Sequence, residues 1–290
     1  MAENANIAEF RNVSFVYNKG VTYETKALDG IDLEIKKGVV TGIIGATGSG
    51  KSTLVQMLNG LLKPASGEVI IDSQNIWAKG VKLKDIRFKV GLVMQYPEYQ
   101  LFDETVESDI AFGPKNMGLS GDELKNRVLS AARFAGLDES LLKKSPFDLS
   151  GGQKRRAALA GVMAMEPELL VLDEPAAGLD PAGRREILGK IKEYQRERGT
   201  SVVIVSHSME DMARYCDRLV VLEHGKVCMN DTPSGVFANH EKLRDVGLDV
   251  PEITKVAAEL KKLGVDIGED VYTVKYAADV LCEKYGLSGA

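Results

Sequence analysis

Hydrophobic and polar positions along the chain keep two different rhythms. Ile7 to Tyr17 alternates imperfectly and Ala27 to Lys36 alternates more regularly, so both read as strands, joined by the polar, glycine-containing loop Asn18 to Lys26. Short β-branched or apolar runs follow at Val39–Ile44, Gly67–Asp72 and Lys89–Met94. From Tyr96 to about Ala164 such runs vanish and helical spacing takes over, most clearly over Gly121–Ala135 and Gly152–Met163. Strand patterns return at Leu169–Leu172 and Ser201–Ser206, around a helix opened by Pro181 and stopped by Gly199. Leu219–Glu223 and Lys226–Asn230 form a hairpin turning at His224-Gly225. Beyond it, Pro233–Ala238, Pro251–Leu263 and Val274–Lys284 read as short amphipathic helices, with Leu260, Leu263, Val280 and Leu281 among their apolar positions. The pattern predicts an α/β domain over 1–230 with a helical insert at about 96–164, then a small helical domain over 231–290.

Composition narrows the class without changing that picture. With 290 residues there is room for one large domain and a smaller one. Apolar residues make up 44% and charged residues 27%, as in an ordinary soluble globular protein. The net charge of −5 supplies no global basic field, so nucleic acid is not an expected partner. The start, MAENANIAEFRN, lacks the basic and apolar regions of a signal peptide, and no run is apolar enough to span a bilayer. Cys216, Cys228 and Cys282 are scattered without metal-ligand spacing and read as reduced, structural cysteines.

Chemistry enters at Gly45-Ala46-Thr47-Gly48-Ser49-Gly50-Lys51-Ser52-Thr53, which fits the phosphate-loop pattern G-x-x-x-x-G-K-[ST]. A strand pattern precedes it, and Leu54, Met57, Leu58 and Leu61 follow at helical spacing, so its flanks are right. Glycines let the loop turn its N–H groups inward, and the helix from Lys51 adds the positive end of its dipole. Lys51 suits the β/γ-phosphates and the Ser52 hydroxyl suits Mg²⁺. A solvated glycine turn is the bland alternative, and both flanks argue against it. Leu169-Leu170-Val171-Leu172 runs into Asp173-Glu174-Pro175 at a strand's C-terminal end, where ligands bind in open α/β sheets. Asp173 suits the metal, and an extended chain would place Glu174 on the other face, free to polarise a water. A lone pair of this kind can cap a helix instead, a reading that is weak beside a phosphate loop. His207 follows the next strand; it either reaches the γ-phosphate or is structural. Tyr17 ends the first strand, where its ring either stacks on a base or packs on the sheet.

With Leu149-Ser150-Gly151-Gly152-Gln153, Gln95, the LLVLDEP run, Gly178-Leu179-Asp180 and His207 in order, residues 5 to 230 resemble the ATPase cassette of ATP-binding cassette (ABC) proteins. The resemblance implies a P-loop NTPase fold with a RecA-like core sheet, an antiparallel β subdomain and a helical subdomain. It implies ATP and Mg²⁺ as ligands, with Ser52, Gln95 and Asp173 at the metal and Tyr17 stacked on the base. Two cassettes would pair head to tail, each ATP lying between one phosphate loop and the other's Leu149–Gln153 signature. Glu174 would act as base or water-polariser, His207 would position water and phosphate, and Gln95 would report nucleotide state to a partner. A P-loop GTPase or small-molecule kinase is disfavoured, since no guanine-reading N-K-x-D is present.

Gln95-Tyr96-Pro97-Glu98-Tyr99-Gln100-Leu101-Phe102, then Thr105-Val106 and Ile110 to Pro114, resemble the ATPases of energy-coupling factor transporters, as does the stretch from Ser150 to Pro181. The loop around Tyr23 is similar to the second of the two paired ATPases. Such cassettes drive uptake of vitamins or transition metals from the cytoplasmic face of the membrane. They work beneath a transmembrane coupling protein and a substrate-binding membrane subunit. The C-terminal helices are expected to help hold the paired ATPases together, the alternative being that they only cover their own cassette. A soluble ABC ATPase for DNA repair, chromosome or translation work is the rival reading. Against it stand the single cassette, the absence of a coiled-coil insertion and the lack of a basic balance. A regulatory module that no longer hydrolyses ATP would not need the catalytic positions, which are all present.

Overall fold

The computed structural model describes residues 5–268 and 271–286. The first four residues of the leader reading, and 269–270 and 287–290 of the expected C-terminal domain, lie outside the described residues.

Among the described residues, ten strands make two sheets. In the smaller, β1 (Asn6–Tyr17) pairs antiparallel with β2 (Thr25–Lys36) on one side and β4 (Ser66–Ile71) on the other, and β5 (Gln74–Asn75) extends β4. The larger sheet has β3 (Val40–Gly45) near its centre. On one side of it lie β9 (Arg218–Glu223) and β10 (Lys226–Asp231). On the other lie β8 (Ser201–Val205), β7 (Leu169–Asp173) and β6 (Val90–Val93). All its pairings are parallel except the β9–β10 hairpin. His224 and Gly225 both take positive φ at that hairpin's turn, as the sequence suggested.

The central strands are buried on both faces, and that explains their continuous apolar runs. Leu170, Leu172, Val202, Ile204, Leu219 and Val221 face the helical side. Their neighbours Leu169, Val171, Val203, Val205, Val220 and Leu222 face the antiparallel sheet and α1 (Lys51–Leu58). This period of two gives one sheet two cores. Each fully buried aliphatic side chain contributes roughly 1.5–3 kcal/mol, so the frame beneath the site is stiff.

After α2 (Leu83–Lys89) and β6, no strand occurs among the described residues until β7. The expected helical insert fills the gap with α3 (Val106–Asn116), α4 (Gly121–Ala135) and α5 (Gly151–Met163). α6 (Pro181–Arg198) joins this layer to the sheet. Its buried Tyr194 meets Phe134 edge-on at 5.1 Å and donates a 3.3 Å hydrogen bond to the Met163 carbonyl. α7 (Met209–Tyr215) follows β8.

Past β10, Val236 and Phe237 of α8 (Pro233–Ala238) and Leu243 of α9 (His240–Asp245) still belong to the helical-side core. A separate small cluster of Ala257, Ile267, Val271 and Ala277 forms only with α10 (Glu252–Lys262) and α11 (Val274–Tyr285). Cassette packing therefore runs past residue 230.

Candidate active site

β3 closes at Gly45 and α1 opens at Lys51, so the intervening loop is short and wraps on itself. Gly50, the N-cap, sits at φ 101, and a Cβ there would lie 2.5 Å from the Ala27 carbonyl oxygen. Only glycine fits. No side chain caps α1 and no acidic residue stands in its first turn, so its N–H groups and dipole are left for an anion. Lys51 Nζ folds back to donate to the carbonyls of Gly45 (2.8 Å) and Ala46 (2.9 Å). Burial pulls the Lys51 pKa down, opposed first by Glu174 and then by Asp173. Ser49 Oγ is buried without a hydrogen-bond partner.

Because β3, β6, β7 and β8 run parallel, their C-terminal ends bring distant residues to this loop. Gln95 arrives from β6, Asp173 and Glu174 from β7, and His207 from β8. All four line one cavity of about 450 Å³ with Thr47, Gly48, Lys51, Ser52 and Thr53. Tyr17 closes one side, its hydroxyl 3.1 Å from Thr53 Oγ1 and its ring edge-on to Phe15 at 4.8 Å. The partly exposed ring thus stands in the cavity wall.

Glu174 corrects the sequence reading in one respect. An extended chain would turn Asp173 and Glu174 to opposite faces, but the strand ends at Asp173 and Glu174 takes φ 53. Its N–H still donates to the Val205 carbonyl at 3.0 Å while the backbone turns left-handed. Both carboxylates therefore face the same cavity. For a residue other than glycine this conformation is uncommon, and such strain gathers at functional sites.

Burial raises the pKa of both carboxylates. Burial and then the neighbouring Asp173 push Glu174 up to about 7, against the pull of Lys51. Its Oε1 is buried without a hydrogen-bond partner and lies 3.4 Å from His207 Nε2. Burial also raises Asp173, while a hydrogen bond from Ser52 and the charge of Lys51 oppose the rise. His207 is lowered by burial and by Lys51, so it is mainly neutral at pH 7. Ser52, Asp173 and Gln95 form an all-oxygen donor set of the kind Mg²⁺ takes together with phosphate and water. The residues fit a Mg²⁺-nucleotide.

The signature lies elsewhere. Ser150 caps α5, its Oγ accepting from Gln153 N at 3.4 Å while Gln153 Oε1 accepts from Ser150 N at 3.0 Å. Leu149 is buried beneath, and Ser150 and Gly151 are exposed. None of Leu149–Gln153 lines the nucleotide cavity. Nor do Gly178, Leu179 and Asp180; Asp180 caps α6 by accepting from Gly183 N at 2.9 Å.

Thr25 and Arg184 are among the contributors that escaped the sequence reading. Thr25 lines the cavity because β2 pairs it with Tyr17, which the β1–β2 register would have revealed. Arg184 lines a smaller adjoining cavity with Glu174 and His207 and pairs with Asp211 at 2.5 Å; as a surface arginine of a helix it gave no sign.

Residues 28–177 match the ABC transporter family. The chain is 54% identical over 268 residues to the energy-coupling factor transporter ATP-binding protein EcfA2 of Caldanaerobacter subterraneus subsp. tengcongensis, covering 92% of this chain and 94% of that protein. It is 53% identical to the Clostridium tetani protein of the same name, over 93% and 94% of the two chains. Among solved structures, cbiO1 of Clostridium perfringens, part of the ABC transporter complex cbiONQ, superimposes with a TM-score of 0.73 at 41% identity, over 86% of this chain and 97% of that one. The ATP-binding cassette MJ0796, a dimer in a post-hydrolysis state with ADP and Pi, gives 0.71 at 30% identity, over 78% and 98%. Such relatives set aside the soluble repair or chromosome ATPase. The chain belongs to the ABC transporter ATPases, among the ATP-binding proteins of energy-coupling factor transporters.

Proposed function

We propose that this chain binds and hydrolyses ATP as one of two paired cassettes that power uptake through an energy-coupling factor transporter. One observation carries this reading: the cavity gathers the phosphate loop, both carboxylates, Gln95 and His207, while the chain's own signature helix opens to solvent elsewhere. Each half-site therefore lacks what a second cassette, turned head to tail, would supply.

The β- and γ-phosphates lie against the N–H groups of Gly48 to Ser52 and the Lys51 ammonium, and Tyr17 receives the adenine face. Ser52, Asp173 and Gln95 would hold Mg²⁺, which would supply charge neutralisation on the phosphate oxygens. Glu174 Oε1 takes a proton from the attacking water as the bond from Pγ to the bridging oxygen breaks, leaving ADP and phosphate. An acceptor with a pKa near the working pH suits that task. Neutral His207 orients water and γ-phosphate. From the opposing chain, Ser150 and the N–H groups of Gly151 and Gly152 reach the γ-phosphate. Ser150 retains its O–H for donation because its oxygen, not its hydrogen, caps α5.

A few residues beyond Gln95, exposed Phe102 and Phe112 line a groove of about 390 Å³, and Tyr96 and Tyr99 are exposed in the segment leading to it. This groove suits helices of a transmembrane coupling protein. A substrate-binding membrane subunit chooses the cargo, a vitamin or a transition-metal ion. Val256, Leu263 and Val274 are exposed on the C-terminal helical domain and suit contact between the two ATPases. Attachment at the cytoplasmic face would come through these partners; among the described residues no helix is long and apolar enough to cross a membrane.

The test is a tagged pull-down from detergent-solubilised native membranes, with co-purifying chains identified by mass spectrometry. A second ATPase with two kinds of polytopic membrane protein is expected. Recovery only from the soluble fraction, alone or with nucleic acid, would contradict the transport assignment.

A further inference from the structure

Five residues beyond Ser150, Arg155 turns inward from α5 with only 7% of its side chain exposed. Its guanidinium spans two other loops. Nε and Nη2 donate to Glu98 Oε2 and Oε1 at 3.4 and 3.3 Å, and Nη1 donates to the Ala177 carbonyl. Glu98 sits in the tight turn Pro97–Gln100, three residues after Gln95. Ala177 stands three residues after Glu174, whose carbonyl accepts its N–H at 3.1 Å, and it precedes Gly178-Leu179-Asp180. One buried cation thus touches the segment carrying Gln95, the segment carrying Glu174, and the helix that presents the signature.

Burying a charge is costly unless it is fully paired, so these contacts hold the three segments in one arrangement. The planar fork of arginine is what permits it. A lysine would bring the same charge but could not reach a carboxylate and a carbonyl in two directions at once. We propose that Arg155 is a positioning residue that ties the geometry of this chain's own nucleotide cavity to the signature it offers a second cassette. A shift of Gln95 or Glu174 is passed through the guanidinium to the start of α5, so one site's state sets the quality of the opposing site. Because this matters only if α5 serves a second cassette, it rests on head-to-tail pairing.

The test uses the full chain together with the ATPase that co-purifies with it, Mg²⁺ and a non-hydrolysable ATP analogue. Two quantities are read for Arg155→Lys, Glu98→Gln and the double variant: analogue affinity of the isolated chain, and analogue-driven pairing by sedimentation. Arg155→Lys should leave affinity within about twofold and weaken pairing about 10- to 100-fold, the span of one lost charge-assisted hydrogen bond. Glu98→Gln should act in the same direction, and the double variant should be no worse than Arg155→Lys, since both break one link. Equal losses in affinity and pairing would mark a merely structural ion pair and overturn the proposal. So would normal pairing by Arg155→Lys. Failure of the unmodified chains to pair would overturn the head-to-tail reading, and this link with it.

Discussion

α1 follows its N-cap Gly50 and α5 begins at Gly151; neither carries an acid in its first turn, yet their surroundings differ. At α1 the glycines are demanded from within: a Cβ on Gly45 would lie 2.4 Å from the Leu222 carbonyl oxygen, and one on Gly50 would strike Ala27. At α5 a Cβ on Gly151 or Gly152 would meet nothing within 4 Å, and neither has positive φ. Nothing among the described residues asks for glycine there. Alanine would even lower the conformational entropy lost on folding. On the proposed head-to-tail pairing, a second cassette's γ-phosphate is the group that would need that bare, exposed helix start.

Substitutions can separate the inner demand from the outer one. The largest effect belongs to Glu174→Gln, which should cut steady-state ATP turnover by ~10²–10⁴ by removing the proton acceptor. Near-normal turnover would take Glu174 out of the mechanism. Gly50→Ala should follow, destabilising the fold by about 2–4 kcal/mol through forced positive φ and a backbone clash, with loss of ATP binding. Denaturant midpoints and an ATP titration would read both.

The raised pKa of Glu174 makes a third prediction, because its folded-state value of about 7 exceeds its ordinary 4.5. Its stabilising protonation is complete below pH 4.5 and lost as pH rises through 7, so at pH 8 the ionised carboxylate burdens the nucleotide-free fold. Glu174→Gln should then stabilise the free chain by about 2–3 kcal/mol at pH 8, fading towards zero below pH 4.5. A gain independent of pH would contradict the charge assignment. The smallest effect on the fold belongs to Gly151→Ala, which should leave stability unchanged or raise it by up to about 1 kcal/mol. Its turnover should still fall about tenfold or more, as a methyl group intrudes on the opposing site. A stability loss like that of Gly50→Ala would erase the contrast between the two helix starts.

What the sequence revealed follows the range of the interactions involved. The phosphate loop was legible because strand, glycines, lysine and helix are contiguous, so local backbone rules suffice. Asp173, Gln95 and His207 were legible as residues at strand ends, although only sheet order β10-β9-β3-β8-β7-β6 brings them together. Glu174 was placed on the wrong face because a left-handed turn one residue past a strand leaves no mark in a pattern of apolar positions. Arg155 stayed hidden inside Lys154-Arg155-Arg156, where nothing in the sequence tells which side chain turns inward. The other arginine, Arg156, reaches Glu186 near the surface at 2.7 Å. Seven-residue helices such as α2 and α7 fall below the window in which helical spacing can be recognised.

The most direct measurement is sedimentation of full-length Glu174→Gln with Mg²⁺ and ATP, alone and with its co-purifying ATPase, with and without Ser150→Arg. A site shared between two chains predicts a nucleotide-dependent pair for Glu174→Gln. Adding Ser150→Arg should abolish the pair while each chain still binds ATP. Pairing that survives Ser150→Arg, or no pairing by Glu174→Gln at any ATP concentration, would contradict it.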